Sequence, residues 1–174
     1  RSSTFAAFQS QNYPFLAESG IEIEYRQNYM APHDPTAKLK LMKKFNDNVA
    51  ILKIFPSINQ ATVESFFNIK GLKGIILETY GSGNTMNFDW FLKILENAVA
   101  KDIVIYNVSQ CSGGEVIQGR YETSKRLNDI GVVSGGDITT EAAISKLMFL
   151  LGNEKNTASV KRKLAKPLNG EMDN

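Results

Sequence analysis

The sequence has 174 residues, of which 43% are hydrophobic and 22% charged, and these are ordinary values for a single globular domain. Its 20 basic and 18 acidic residues leave a formal net charge of +2, so charge gives no argument for a nucleic-acid or membrane-surface partner. The single cysteine, Cys111, excludes an intramolecular disulfide and an all-cysteine metal site. We therefore expect no cofactor, no metal ion, no nucleic acid and no membrane contact.

The beginning of the chain differs in pattern from the rest. The first 20 residues have no sustained hydrophobic period and are interrupted by Pro14 and Gly20. The chain also starts at Arg1 rather than at a methionine. We expect a fragment of a longer protein, in which residues 1–20 are the tail of a preceding domain and a linker, and residues 21–174 form the main domain.

Apolar runs predict the strands. Alternating apolar and charged residues over Ile21–Tyr25 indicate a half-buried edge strand, and Leu39–Met42 is a candidate for another short strand. Four further strands are predicted at Val49–Phe55, Leu72–Leu77, Ile103–Val108 and Val132–Ser134. Helical patterns separate these four runs, which favours a parallel sheet with right-handed crossovers. The predicted fold class is α/β: a three-layer, Rossmann-like open sheet, mainly parallel, of about four strands with helices on both faces.

Spacing and capping residues predict the helices. They are expected after a cap at Ser57 or Asn59, from Phe88, over Tyr121–Asp129, after a cap at Asp137 or Thr139, and over Thr157–Leu164. In the fourth of these helices, apolar spacing predicts a buried face made of Ile144, Leu147, Met148 and Leu151.

The most informative segment follows the strand Leu72–Leu77. It contains Thr79 and then the residues Gly81, Ser82, Gly83 and Asn84, which we call the glycine turn. In an open parallel sheet, ligands bind just outside the carboxyl ends of the strands. Exposed backbone N–H groups, a hydroxyl and an amide at that place suit a small polar ligand.

The glycine turn has two other interpretations. Gly81 and Gly83 match the first two glycines of a dinucleotide fingerprint, but its third glycine is replaced by Met86. The next strand ends in Asn107 and Val108 and supplies no acidic residue for a ribose, which argues against a nucleotide. A purely structural turn that needs a positive φ remains an alternative.

A loop of about twelve residues, Ser109–Arg120, follows the next strand, where two to six residues are typical. If the two strands are neighbours, this loop and the glycine turn line the same crevice. Tyr121, directly after the loop, is either a proton-transfer or orienting group or a packing residue, and its residue type alone favours packing. Cys111 has no evident histidine partner, since the only histidine is His33, and is expected to be a buried or loop-lining thiol.

The motifs in these segments resemble the carboxyl-terminal domain of the cytoplasmic, type I L-asparaginases. They are LKGIILETYGSGN, IVIYNVSQCSGG, Tyr121 within GRYETS, and GVVSGGDITTEAAISKLMFLLG. The opening RSSTFAAFQSQNYPFLAESG is similar to the family's crossing from its amino-terminal domain, and KPLNGEM to the end of its carboxyl-terminal domain. The resemblance therefore spans essentially the whole chain.

The resemblance implies a division of labour between two domains. The family hydrolyses L-asparagine to L-aspartate and ammonia with a threonine nucleophile, which lies in the amino-terminal domain in motifs like TGGT and TDT. This sequence contains neither motif, so the chain alone is expected to be inactive. Its implied partners are L-asparagine, the amino-terminal catalytic domain of the same protein, and further copies in a homodimer or homotetramer, all in the cytoplasm.

The resemblance also assigns roles to residues. Asn84, with Gly83, matches the part of the turn that completes the substrate site, and Tyr121 matches a tyrosine of the mobile region near the catalytic centre. This match lowers the weight of the packing interpretation of Tyr121.

Some type I members bind asparagine at an allosteric site in this domain. The matching residues for such an effector are Thr79, Gly81, Gln110 and Cys111. The arginine that precedes the turn in those members is replaced here by Glu78, which would repel the carboxylate of an effector. We therefore expect weak or absent activation by asparagine.

Two alternatives to an asparaginase domain stay open from the residues alone. One is a stand-alone amino-acid-binding or regulatory domain, which would bind its ligand without a partner domain. The other is an oligomerisation module in which the glycine turn has no contact with a ligand.

Overall fold

The computed structural model describes residues 12–30, 32, 34–119 and 122–173. The chain forms two compact units, Arg1–Lys43 and Lys44–Asn174. The described part of the first unit contains a small antiparallel ribbon of β1 (Ala17–Ser19) and β2 (Ile23–Tyr25), followed by a 3₁₀ turn at Gln27–Tyr29.

The ribbon corrects two predictions. The strand expected over Ile21–Tyr25 is shorter, pairs with β1, and is exposed rather than half-buried. Its alternating pattern buries no face, because a two-stranded ribbon of three residues each has too little area to form a core. The segment Leu39–Met42 is not a strand and is exposed, since it has no neighbouring strand to complete its hydrogen bonds within the described residues.

The second unit is built on a four-stranded sheet in the order β3-β4-β5-β6, parallel throughout. The strands are β3 (Val49–Lys53), β4 (Gly74–Thr79), β5 (Val104–Ser109) and β6 (Val133–Ser134). The helices are α1 (Gln60–Phe67), α2 (Asp89–Ala100), α3 (Glu122–Ile130), α4 (Thr140–Asn153) and α5 (Thr157–Leu164). Every residue of the two central strands is buried, as both faces of the sheet are covered.

Alternating side chains of the central strands divide the core into two layers. On one face, Ile75, Leu77 and Ile105 pack with residues of α1, α2 and α3. On the other face, Ile76 and Tyr106 pack with residues of α4 and α5. This arrangement confirms the predicted three-layer α/β fold with helices on both faces.

Capping side chains fix where two of the helices begin. The Asn59 side chain accepts a hydrogen bond of 2.8 Å from the N–H of Thr62 at the start of α1. The Thr139 hydroxyl accepts one of 3.3 Å from the N–H of Ala142 at the start of α4. Of the two candidate caps predicted for each helix, Asn59 and Thr139 are therefore the ones used.

The predicted buried face of α4 is partly wrong. Its buried residues are Ala143, Lys146, Leu147 and Leu150, whereas Ile144, Met148 and Leu151 are half-buried. The predicted face is shifted by about one residue along the helix, because a prediction from apolar spacing does not count a lysine as buried. Lys146 points into the protein because its ammonium group is paired there with Glu171.

Candidate functional site at the carboxyl edge of the sheet

The glycine turn closes directly after β4. Tyr80 and Asn84 form an antiparallel bridge, with hydrogen bonds of 2.9 Å in each direction between their N–H and carbonyl groups. The N–H of Gly83 donates to the carbonyl of Tyr80 at 3.0 Å. The turn is thus a tight, closed hairpin that presents the half-buried Asn84 at the carboxyl edge of the sheet.

Both glycines of the turn have positive φ, at +46° for Gly81 and +95° for Gly83. A side chain at Gly83 would place its Cβ 2.6 Å from Cγ1 of Val116, whereas a Cβ at Gly81 would meet no atom within 4 Å. Position 83 therefore requires glycine for its backbone conformation and for the close approach of the long loop.

The long loop after β5 holds the glycine turn from one side. The Ser109 hydroxyl donates to the carbonyl of Gly81 at 2.7 Å and accepts from the N–H of Cys111 at 3.1 Å. The N–H of Ile117 donates to the carbonyl of Ser82 at 3.1 Å. Since β4 pairs with β5, the prediction that the loop and the turn meet at one edge is confirmed.

The turn after β6 completes the edge. The N–H of Val116 donates to the carbonyl of Gly136 at 2.7 Å, and the Ser134 hydroxyl donates to the carbonyl of Val116 at 3.1 Å. Val116 also packs on Gly83. Three successive connections therefore support one another, and the position of Asn84 depends on all three.

A buried polar pair lies beneath the turn. The Thr79 hydroxyl is within 2.6 Å of Oδ1 of Asn107 and 3.2 Å of the carbonyl of Val108, and both Thr79 and Asn107 are fully buried. The Thr79 hydroxyl is therefore not the exposed hydroxyl that the segment was expected to offer to a ligand. The side chain of Thr79 hydrogen-bonds to residues of the neighbouring strand, because a buried hydroxyl needs a partner inside the protein.

A charged cluster occupies the ends of β3 and β4. Nζ of Lys53 lies 3.2 Å from Oε2 of Glu78, and the Thr140 hydroxyl donates to Oε1 of Glu78 at 2.7 Å. The parallel register places Lys53 directly beside Glu78, which is only 9% exposed. The carboxylate is therefore compensated within the protein.

The side chain of Gln110 hydrogen-bonds to the backbone beside this charged cluster. Its Nε2 donates to the carbonyls of Ile54 and Glu78, at 2.6 Å and 2.9 Å. Those bonds tie the start of the long loop to the ends of β3 and β4. Cys111, by contrast, has an exposed side chain, so the alternative of a buried thiol is excluded.

Most of the site residues expected from the sequence lie at the carboxyl edge of the sheet. Gly81, Gly83, Asn84, Gln110 and Cys111 lie together at this edge of the sheet. Tyr121 and His33 lie outside the described residues. Within the described residues, no group of three or more His, Cys, Asp or Glu side chains is arranged to hold a metal ion, and no helix is long and apolar enough to cross a membrane.

Lys53, Asn107 and Ser109 are among the residues that shape the site and that sequence reasoning missed. The sequence did carry a signal for two of them, because Lys53 is the only charged residue in its apolar run and Asn107 is an amide within another such run. Ser109 gave no signal of its own, since a serine at the end of a strand is common in turns. Its role depends on the pairing of β4 with β5, which the sequence does not specify.

Comparison with known proteins places the domain in a family. Residues 48–164 match the model of the glutaminase/asparaginase C-terminal domain. L-asparaginase 1 of Escherichia coli (strain K12) is 34% identical over 97% of this chain, which spans 49% of that protein. The 60 kDa lysophospholipase of Homo sapiens is 35% identical, again over 97% of this chain, which spans 29% of that protein.

A solved structure agrees with these matches. The crystal structure of L-asparaginase I from Vibrio cholerae superposes with a TM-score of 0.88 and 33% identity, covering 96% of this chain and 50% of that chain. The present chain therefore spans about half the length of these two bacterial asparaginases.

Proposed function

Because the chain belongs to the glutaminase/asparaginase C-terminal domain family, we propose that it is the carboxyl-terminal domain of an L-asparaginase. The whole protein would hydrolyse L-asparagine to L-aspartate and ammonia, with its threonine nucleophile in an amino-terminal domain. The observation that carries the proposal is the position of Asn84, which three connections hold at the carboxyl edge of the parallel sheet.

The chemistry is divided between the two domains. The hydroxyl oxygen of the threonine attacks the amide carbon of asparagine, ammonia leaves, and water then hydrolyses the acyl-threonine ester to give aspartate. Backbone N–H groups stabilise the oxyanion of each tetrahedral intermediate. In this chain the side-chain amide of Asn84 offers a donor and an acceptor to an asparagine-sized ligand, with Gly83 beside it, and Tyr121 assists near the catalytic centre.

The same proposal covers assembly and regulation. The site is completed where this domain meets an amino-terminal domain, within a cytoplasmic homodimer or homotetramer. The positions Thr79, Gly81, Gln110 and Cys111 correspond to an effector site. Its use here is opposed by the buried Thr79 hydroxyl, by the engaged Gln110 amide, and by the Glu78 carboxylate in place of an arginine.

The proposal is tested by replacing Asn84 with alanine in the full-length protein. We expect kcat/KM for asparagine to fall by about 10-fold to 100-fold, since the lost contacts to a charged amino acid are worth roughly 1.5–3 kcal/mol. Ammonia release measures the rate. The matched control is Asn97→Ala, which removes the same amide from an exposed position on α2 and should leave the kinetics unchanged.

Other outcomes would point to the alternatives. Unchanged kinetics in Asn84→Ala would mean that the turn is only structural. Ammonia release by the chain on its own would contradict the division of labour between the domains. Calorimetric binding of asparagine by the chain alone would instead support a stand-alone sensor domain.

A further inference from the structure

Two buried side-chain atoms in the described part of the protein have no hydrogen-bond partner: Nδ2 of Asn107 and Oε1 of Gln118. Both belong to the carboxyl edge of the sheet. Gln118 lies in the long loop, two residues after Val116, and its own Nε2 donates to the carbonyl of Val132 at 3.0 Å. Because an unpaired buried polar atom is costly and rare in native proteins, two of them around one turn require an explanation.

The Asn107 amide is held so that its free donor faces the glycine turn. Its Oδ1 is anchored by the Thr79 hydroxyl, and its backbone carbonyl accepts from the N–H of Gly135 at 2.8 Å. Its Nδ2 lies 3.4 Å from the place that a Cβ of Gly83 would occupy. The amide therefore sits directly beneath the residue that precedes Asn84.

An acceptor is available in the same residue of the turn. The carbonyl oxygen of Gly83 accepts no hydrogen bond from the residues that the structure describes. The Gly83 carbonyl shares its peptide plane with the N–H of Asn84, which donates to the Tyr80 carbonyl at 2.9 Å, so turning this plane exchanges that hydrogen bond for a new one. Such a rotation brings the free acceptor toward the free donor of Asn107.

We propose that Asn107 is a positioning residue for the asparagine site, whose free N–H donates to the Gly83 carbonyl when a ligand binds at Asn84. Ligand binding and the new hydrogen bond then stabilise the same conformation of the glycine turn. The unliganded protein tolerates an unpaired donor, which is the kind of local conflict expected at functional sites. The inference rests on the proposed function, since it presumes a ligand at Asn84.

The test is Asn107→Leu in the full-length protein. Leucine is close to asparagine in size and removes the unpaired donor, while the Thr79 hydroxyl keeps the Val108 carbonyl as its acceptor. We expect the variant to be more stable without ligand but to bind asparagine more weakly. The unliganded protein should melt about 2 °C higher or more, because a buried unsatisfied group is gone. KM for asparagine should rise about tenfold, with a smaller change in kcat.

A merely structural asparagine would behave differently. A lower Tm in Asn107→Leu, or an unchanged KM at any Tm, would overturn the inference. A crystal structure of the wild-type protein with bound asparagine gives an independent test. It should place Nδ2 of Asn107 about 3 Å from the Gly83 carbonyl oxygen, and an unpaired Nδ2 in that complex would overturn the inference.

Asn84→Ala, assayed in parallel, separates the two levels of the argument. If Asn84→Ala leaves kcat/KM unchanged, the proposed substrate contact of Asn84 itself fails. If Asn84→Ala lowers kcat/KM and Asn107→Leu leaves KM unchanged, the proposed function stands and only the role of Asn107 is lost.

Discussion

Gly83 is the residue on which the backbone conformation of the turn and the packing of the long loop both depend. Its φ of +95° and the 2.6 Å approach of Val116 to its missing Cβ make any side chain unfavourable. We expect Gly83→Ala to lower the free energy of unfolding by about 3 kcal/mol, of which about 1–2 kcal/mol is backbone strain and the rest overpacking. Urea unfolding of the variant and the parent protein measures the difference.

Gly81 provides the matched control, because it also has positive φ but a Cβ there meets nothing within 4 Å. Gly81→Ala should therefore lose only the backbone contribution, about 1–2 kcal/mol. Adding Val116→Ala to Gly83→Ala should reduce the overpacking without removing the strain. Equal losses for the two glycine variants would contradict the packing argument.

Glu78 determines what the rim of the turn can bind. Its carboxylate is paired with the Lys53 ammonium and accepts a hydrogen bond from the Thr140 hydroxyl. The positive charge of Lys53 is therefore already compensated and does not attract the carboxylate of an amino acid. We expect the full-length protein to show hyperbolic rather than sigmoidal dependence of rate on asparagine concentration. Cys111→Ala, at an exposed position beside this cluster, should leave the curve hyperbolic.

The same assay would also detect allosteric activation. Sigmoidal kinetics in the parent protein that become hyperbolic in Cys111→Ala would show that an effector binds despite Glu78. The expected absence of activation would then be wrong, and the cluster of Lys53 and Glu78 would have to open to admit the effector.

At the scale of elements, the sequence predicted the order and type of the sheet strands and helices well. Strand β5 and helix α5 lie where apolar runs and spacing placed them, because each is short and strongly patterned. The ribbon of β1 and β2 and the buried face of α4 were less predictable. Both depend on partners distant in sequence, and no local period contains that information.

The candidate site shows the same division. The glycine turn was predicted because glycine after a strand has a local signature. The contacts that hold it, from Ser109, Ile117 and Val116, come from other connections of the sheet. Such contacts follow only once β4 and β5 are known to be neighbours.

Across the whole second unit, the segment after α5 connects distant elements. Lys146 in α4 lies 2.8 Å from Oε1 of Glu171, and its Nζ also donates to the carbonyls of Leu164 and Lys166 at 3.1 Å and 2.6 Å. The buried Tyr106 hydroxyl, in β5, donates to the same Leu164 carbonyl at 3.0 Å. One lysine thus fastens this segment onto the helix layer formed by α4 and α5.

The same segment extends to the candidate site. The N–H of Asp173 donates to Oδ1 of Asp137 at 2.8 Å, and Met172 packs near Gly136 in the turn after β6. That turn accepts the hydrogen bond from Val116, which packs on Gly83. Stability of the segment and order at the carboxyl edge are therefore expected to change together.

The Lys146–Glu171 pair should make stability depend on pH. Burial raises the pKa of the Glu171 carboxyl, but hydrogen bonds from Lys146 and from the N–H groups of Asn169 and Leu168 outweigh it, so the pKa lies below its ordinary value of 4.5. A carboxyl whose pKa is lowered by folding stabilises the folded state above about pH 4.5. That stabilisation is lost as the pH falls through the folded-state pKa.

We therefore expect Glu171→Gln to lower the free energy of unfolding by about 1–3 kcal/mol at pH 7, because the buried side chain of Lys146 loses its anionic partner. The difference between variant and parent should shrink as the pH falls below 4.5, which denaturant unfolding at several pH values measures. Glu96→Gln is the matched control, since it breaks an exposed pair with Lys93 that is worth at most about 1 kcal/mol. A constant difference between Glu171→Gln and the parent down to pH 3 would show that the pair does not carry the pH dependence.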